Sequence, residues 1–319
     1  MASLLSNGRA FAPAARQPLT RANMRAFKWE KKNMSPDTNL AIRQARGGGT
    51  WFPADRGTLE RMVDGFIEAA DVTMEAGSRI VSAIAPHAGY QYSGAVAGYT
   101  FRALRDRAAG GPSPETVVIL GFPHRCAFAG VALMDGEALE TPLGRAELDS
   151  DAGSLMMRGR SRIVRDYAPH AGEHSAENQV PFVQRALPRA KLVIALVGAH
   201  DRATQRDLLE ALLGLARRKT IVVVASSDML HDPDYALVSQ TDRDTLRKVA
   251  ALDHAAVLRD WRLDRQTFCG IVPVLTAMQL AQQLGGRKGT VLHYRNSGDD
   301  YPESRGQWVV GYGAVVFTA

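Results

Sequence analysis

Ile80-Val81-Ser82-Ala83-Ile84-Ala85-Pro86-His87-Ala88-Gly89-Tyr90 is the stretch on which the reading of this chain turns. An apolar run this short, bounded by Pro, has the length of a buried strand rather than a helix. Pro86 has no amide hydrogen and cannot continue a central strand. His87 is therefore expected where a strand gives way to a loop, with Gly89 allowing close backbone approach. Open α/β sheets bind ligands outside the carboxyl ends of their strands. The chain places an imidazole there.

The pattern recurs. Val117-Val118-Ile119-Leu120 leads into Gly121-Phe122-Pro123-His124, and Ile221-Val222-Val223-Val224-Ala225 leads into Ser226-Ser227-Asp228-Met229-Leu230-His231. Three of the chain's eight histidines thus follow strand patterns, which points to a convergent site. Leu192 to Val197 is a further strand pattern, ending in Gly198-Ala199-His200.

Between these runs the period changes. Leu59, Met62, Val63, Phe66, Ile67 and Ala70 recur at helical spacing, which predicts an amphipathic helix. Ser93 to Arg105 reads as a helix rich in small residues, suited to packing close to a sheet. Leu208, Leu209, Leu212, Leu213 and Leu215 mark another, and Thr241 to Leu252 reads as an exposed one. Ile271 to Leu284 is helical, with Pro273 early, where Pro is tolerated. Residues 130–150 read as strands or an excursion with a turn at Thr141-Pro142-Leu143-Gly144. Val291 to Tyr294 and Trp308 to Phe317 read as strands. Strands alternating with helices predict an α/β domain with one main sheet.

The net charge of +6 is concentrated at one end. Residues 1–46 hold nine Lys or Arg against two acids, and the remainder holds 30 against 31. The body is neutral, which argues against a nucleic-acid-binding face on it. The expected organisation is a basic, disordered extension over residues 1–46 and one domain over 47–319. Residues 1–28 lack acids and are rich in Ala and Arg, as in an organellar transit peptide. A basic arm on a cytoplasmic protein fits equally well. No apolar run approaches the ~20 residues of a membrane helix. Two cysteines in 319 residues make no disulfide framework.

The chain lacks GxGxxG after a strand, P-loop spacing, HExxH, CxxC and the GxSxG elbow. What it offers is a scattered set of His and Cys. Cys269 precedes a helical segment, a position that favours thiolate. Imidazole and thiolate together suit Fe, Cu or Zn, and an incomplete ligand set is what a catalytic metal keeps. In Glu173-His174-Ser175-Ala176-Glu177-Asn178, Ser175 is a candidate helix cap, with His174 and Glu177 on one face.

Six ordered motifs resemble the Memo family, the "mediator of ErbB2-driven cell motility" proteins and their bacterial and archaeal relatives. They are Gly49-Thr50-Trp51-Phe52-Pro53; Ala85-Pro86-His87-Ala88-Gly89-Tyr90 with Tyr92-Ser93-Gly94; and Leu120-Gly121 with His124. Glu173-His174-Ser175 with Glu177 and Pro181-Phe182, Ser226-Ser227-Asp228 with His231, and Cys269-Gly270 follow. The resemblance implies a single domain with a mixed central β-sheet flanked by helices, like the class III extradiol dioxygenases. It implies a redox-capable metal, iron or copper, on the positions of His87, His124 and Cys269. Asp228, His231 and the His174 segment would line the same pocket, with His231 as acid or base oriented by Asp228 and His174 sharing that role. It also implies an unidentified small-molecule substrate and a pathway shared with a radical-SAM protein and a third partner. A metal carrier or peptide-binding scaffold on the same fold is the other expectation. The chain departs from many relatives at Arg125, where a second His is common, and at Gln179 and Gly48, where His is frequent.

Overall fold

The computed structural model describes residues 42–74, 79–198 and 200–319. The transit-peptide reading of residues 1–28, and the basic extension over 1–46 except its last five residues, fall outside these. Within the compact unit from Leu40 to Ala319 the first strand, β1 (Ile42–Gln44), precedes the expected domain start at Gly47. β1 pairs in parallel with β5 (Ala138–Thr141), which pairs with β6 (Gly144–Glu147) across the predicted turn. This small three-stranded sheet accounts for the excursion expected over 130–150.

Among the described residues, the main sheet has nine strands. Its parallel centre runs β2 (Ile80–Ala85), β9 (Ile221–Ser226), β3 (Thr116–Gly121) and β8 (Lys191–Val197). On one flank, β4 (Val131–Leu133) pairs antiparallel with β8 and parallel with β7 (Ile163–Arg165). On the other, β12 (Val309–Thr318) runs antiparallel to β2, to β11 (Gly289–Asn296) and to the two-residue β10 (His231–Asp232). The sheet is mixed, as the resemblance implied.

Every residue of β2, β3 and β9 is buried. Side chains alternate across a sheet, so each central strand feeds two cores. Val118, Leu120, Val223 and Ala225 face one side. There they meet α3 (Ser150–Met157), α5 (Arg202–Ala216), α6 (Tyr235–Ala250), α7 (His254–Asp260) and α8 (Ile271–Gln283). Val117, Ile119, Val222 and Val224 face α1 (Arg56–Ala69), α2 (Tyr90–Ala109) and α4 (Val180–Ala186) on the other. Continuous apolar runs are what burial on both faces requires.

The small residues of α2 do pack close to the sheet, where Thr100 Oγ1 donates to the Ile84 carbonyl at 2.8 Å, and they also admit a neighbouring helix: a Cβ on Gly98 would lie 2.4 Å from the Phe66 carbonyl oxygen of α1. Two local expectations change. Ser175 does not cap a helix, because its hydroxyl donates to the Phe122 carbonyl at 2.7 Å and accepts from the Phe122 amide. α6 is amphipathic rather than exposed, burying Val238, Leu246 and Val249. Among the described residues no helix is long and apolar enough to cross a membrane.

Candidate metal centre

The parallel centre of the sheet presents its carboxyl ends at one edge, and the chain leaves each with a different side chain. β2 is followed at once by Pro86 and His87, and β3 is followed by the turn carrying His124. β9 is followed by Ser227 and Asp228, and the Cys269 amide donates to the Asp228 carbonyl at 3.2 Å. Cys269 stands two residues ahead of α8, whose N-cap is Gly270. The Gly270 amide donates to Ser227 Oγ at 2.9 Å, which fixes the cysteine against the strand end.

His87, His124 and Cys269, far apart in the chain, therefore converge. One ligand atom from each lies within 4.8 Å of the others, and His87 Nε2 is 3.4 Å from Cys269 Sγ. His87 and Cys269 are buried, while His124 is partly exposed. The His87 and His124 rings meet edge to face at 5.2 Å between centroids. His174 closes the group, 4.7 Å from His124 and 5.5 Å from His87, and stacks on Trp51 at 3.8 Å, nearly parallel.

Glu173 supports this cluster from beneath. Its Oε1 accepts from His124 Nδ1 at 3.0 Å and from the His174 and Ser175 amides at 2.9 Å, and its Oε2 accepts from the His124 amide at 2.6 Å. Because a carboxylate only accepts, His124 Nδ1 carries a proton and Nε2 is left for the centre. His124, Glu173 and His174 also offer donor atoms within 4.8 Å. With His124 Nδ1 already donating to Glu173, that group is the hydrogen-bonded support of the first set.

The charges are strongly coupled. Burial opposes ionisation of Cys269, but the neighbouring His87 and His124 hold its thiol well below the ordinary range. Those imidazoles, rather than the helix start alone, favour the thiolate. Burial would lower His124, yet its hydrogen bonds to Cys269 and Glu173 raise it to about 10. Burial would likewise raise Glu173, yet hydrogen bonds from His124 and His174 hold it far below the usual carboxylate range. His174 goes down, through burial and the charges of His87 and His124, despite Glu173.

Asp228 reaches the centre by a route the sequence reading did not foresee. Its Oδ1 accepts from the His87 and Ala88 amides at 2.7 and 3.2 Å, so it holds the His87 turn. It does not orient His231. That ring is fixed by Nδ1 donating to the Met229 carbonyl at 2.8 Å and by Trp308, 6.1 Å away. His231 is also not a loop residue at the end of β9: it pairs with Val310 in β10. With Nδ1–H committed to a carbonyl, its Nε2 remains an available acceptor. Sequence alone gives Glu173 and Trp51 no role beyond their places in the motifs; the one available signal for Glu173 is an acid directly before His174.

The residues fit a thiolate- and imidazole-binding metal. Bonds of about 2.0–2.1 Å to nitrogen and 2.3 Å to sulfur put a nitrogen and a sulfur on one ion no more than ~4.4 Å apart, and His87 Nε2 and Cys269 Sγ are 3.4 Å apart. Three protein donors leave coordination positions open.

The family model for Memo-like protein matches residues 43–316. A MEMO1 family protein of Methanopyrus kandleri is 33% identical over 281 residues, covering 84% of this chain and 96% of its own length. One of Ignicoccus hospitalis is 31% identical over 290 residues, covering 87% and 99%. The crystal structure of an uncharacterized Escherichia coli K12 protein aligns with a TM-score of 0.46 at 13% identity, over 75% of this chain and 99% of its own. The match to the family model over nearly all of the body, together with the two MEMO1 relatives, establishes that the chain belongs to the Memo-like protein family.

Proposed function

We propose that this protein is a metal-dependent redox enzyme that binds one iron or copper ion through His87, His124 and Cys269 and acts on a small molecule. The observation that carries this reading is the convergence of two imidazoles and a thiol held toward thiolate on one point at the sheet's carboxyl edge. Such a soft donor set selects redox-active first-row metals or zinc over magnesium or calcium. The bound ion would supply Lewis acidity and one-electron chemistry at its open positions.

The chain's own residues supply the rest. Glu173 fixes the ring of His124 and Asp228 fixes the turn of His87. His174, shifted toward its neutral form, faces both metal-binding rings and can accept or deliver a proton. Trp51 holds that imidazole flat against its own ring. His231, its Nδ1 donating to the Met229 carbonyl, keeps Nε2 uncommitted for a second proton-transfer role.

Metal analysis of protein purified without air, with metal-edge absorption spectroscopy, tests the binding. About one iron or copper per chain with one sulfur neighbour is expected. Aerobic turnover of the iron-loaded protein against a panel of small molecules tests the chemistry. Full metal occupancy with no turnover of any member would favour a metal carrier instead.

A further inference from the structure

We propose that Ser226 is a positioning residue that locks His87 with its proton on Nδ1 and its Nε2 toward Cys269, and that Gln179 holds Ser226 in that role. The inference rests on the metal-site reading above and follows from counting hydrogens. Ser226 Oγ is fully buried and has three polar neighbours. The Ser175 carbonyl oxygen can only accept, so the single hydroxyl proton of Ser226 goes there. Gln179 Nε2 donates to Ser226 Oγ at 2.7 Å and takes one of its two lone pairs. The remaining neighbour is His87 Nδ1 at 3.1 Å. With the hydroxyl proton spent, Ser226 has only a lone pair to offer, and His87 Nδ1 must be the donor.

The Gln179 amide hydrogens are committed just as completely. The amide group has two hydrogens, and the second goes to the Pro86 carbonyl at 2.8 Å. Beside it, Asn178 Nδ2 donates to the His87 carbonyl at 2.7 Å. The short 3-10 turn Glu177–Gln179 therefore grips the backbone on both sides of the His87 Cα and, through Ser226, the ring. The Gln179 side chain cannot turn over without setting its own oxygen against the Pro86 carbonyl. Nε2, 3.4 Å from Cys269 Sγ, is the ring nitrogen left facing the cluster.

The test uses zinc as a diamagnetic probe. Its affinity is read by competition with a chelator, and the His87 Nδ1–H signal is read by NMR of zinc-loaded protein carrying 15N-histidine. The full-length protein should show a slowly exchanging Nδ1–H on His87. Ser226→Ala should lose that signal to exchange and bind zinc about 10- to 100-fold more weakly, the usual loss when a ligand's supporting partner is removed. Gln179→Met leaves the hydroxyl in place but frees its lone pair, so the hydroxyl can turn; an intermediate loss of affinity and faster Nδ1–H exchange are expected. Gln179→Met also carries the test if Ser226→Ala does not fold. Ser82→Ala removes another buried hydroxyl, one that donates to the Ala277 carbonyl in the core, and should leave both readouts unchanged. The proposal is overturned if Ser226→Ala, or Gln179→Met in its stead, keeps the slow Nδ1–H signal with zinc affinity within twofold. If wild-type protein binds no zinc, the metal-site reading itself fails, and the Nδ1–H signal in metal-free protein still decides the tautomer.

Discussion

Replacing Glu173 by Gln would probe the candidate centre without touching a ligand atom. The carboxylate accepts four hydrogen bonds and its side chain is nearly inaccessible, at 2% exposure. Bonds to a charged acceptor contribute about 1.5–3 kcal/mol each, against about 0.5–1.5 kcal/mol for neutral pairs. A glutamine must set its NH₂ against at least one of the four donors. If it takes the place of Oε2, the His124 amide loses its acceptor, at about 2–3 kcal/mol, and the three bonds to Oε1 weaken by roughly 1 kcal/mol each. Allowing for relaxation of the site, a loss of about 3–5 kcal/mol is expected, a large part of the roughly 5–15 kcal/mol that holds a domain folded.

The loss has a characteristic pH profile. Glu173 is depressed in the folded protein, so its contribution is present above its unfolded value of 4.5 and is lost as pH falls below that. His124 is raised, so its contribution is complete below its unfolded value of 6.5 and is lost as pH rises toward about 10. The difference between wild type and Glu173→Gln should therefore be widest between about pH 4.5 and 6.5 and should shrink on both sides. Urea unfolding of chelator-treated protein across pH 3–10 measures it, with the metal removed so that its binding does not contribute. A difference below about 1 kcal/mol at pH 6, or one that stays constant from pH 3 to pH 10, would refute the account of Glu173 as the ionised support of His124.

Cys269→Ser should weaken metal binding and abolish any sulfur-to-metal charge-transfer band, whereas Cys126→Ser, at an exposed thiol outside the cluster, should change neither. His231→Ala should leave metal content near one per chain while removing turnover; loss of the ion in that variant would move His231 into the coordination sphere. A chain starting at Gly47 lacks β1 and the Arg46 amide that donates to Glu177 Oε1 at 2.7 Å. It should melt several degrees below one starting at Ile42, and equal midpoints in a thermal scan would show that β1 adds nothing to the body.

The fold class was legible because the central strands are buried on both faces. That burial demands uninterrupted Val, Ile and Leu, and such runs, separated by 3.6-period helices, are visible along the chain. His87 and His124 were legible for a related reason: a ligand-binding side chain at the carboxyl edge of a parallel sheet must follow a strand, so local order in the sequence encodes its place. His231 follows an apolar run in the same way, yet it lies in a strand rather than in a loop at the sheet's edge. The chain continues past Asp228 into a short pairing with β12, almost 80 residues later, which ties His231 to Val310 and Trp308. Nothing local to Ser226–His231 records that pairing. Cys269 was reachable as a thiol before a helix, but its charge state depends on two imidazoles more than 140 residues away. The same holds for Glu173, Gln179 and Ser226. Their residue types are ordinary, and their roles come from which donor meets which acceptor after the turn at Glu177–Gln179 packs against the ends of β2 and β9. Periodicity and turn chemistry are properties of neighbouring residues, whereas a hydrogen-bond count around a buried ring belongs to the packed chain, and only the tertiary structure decides it.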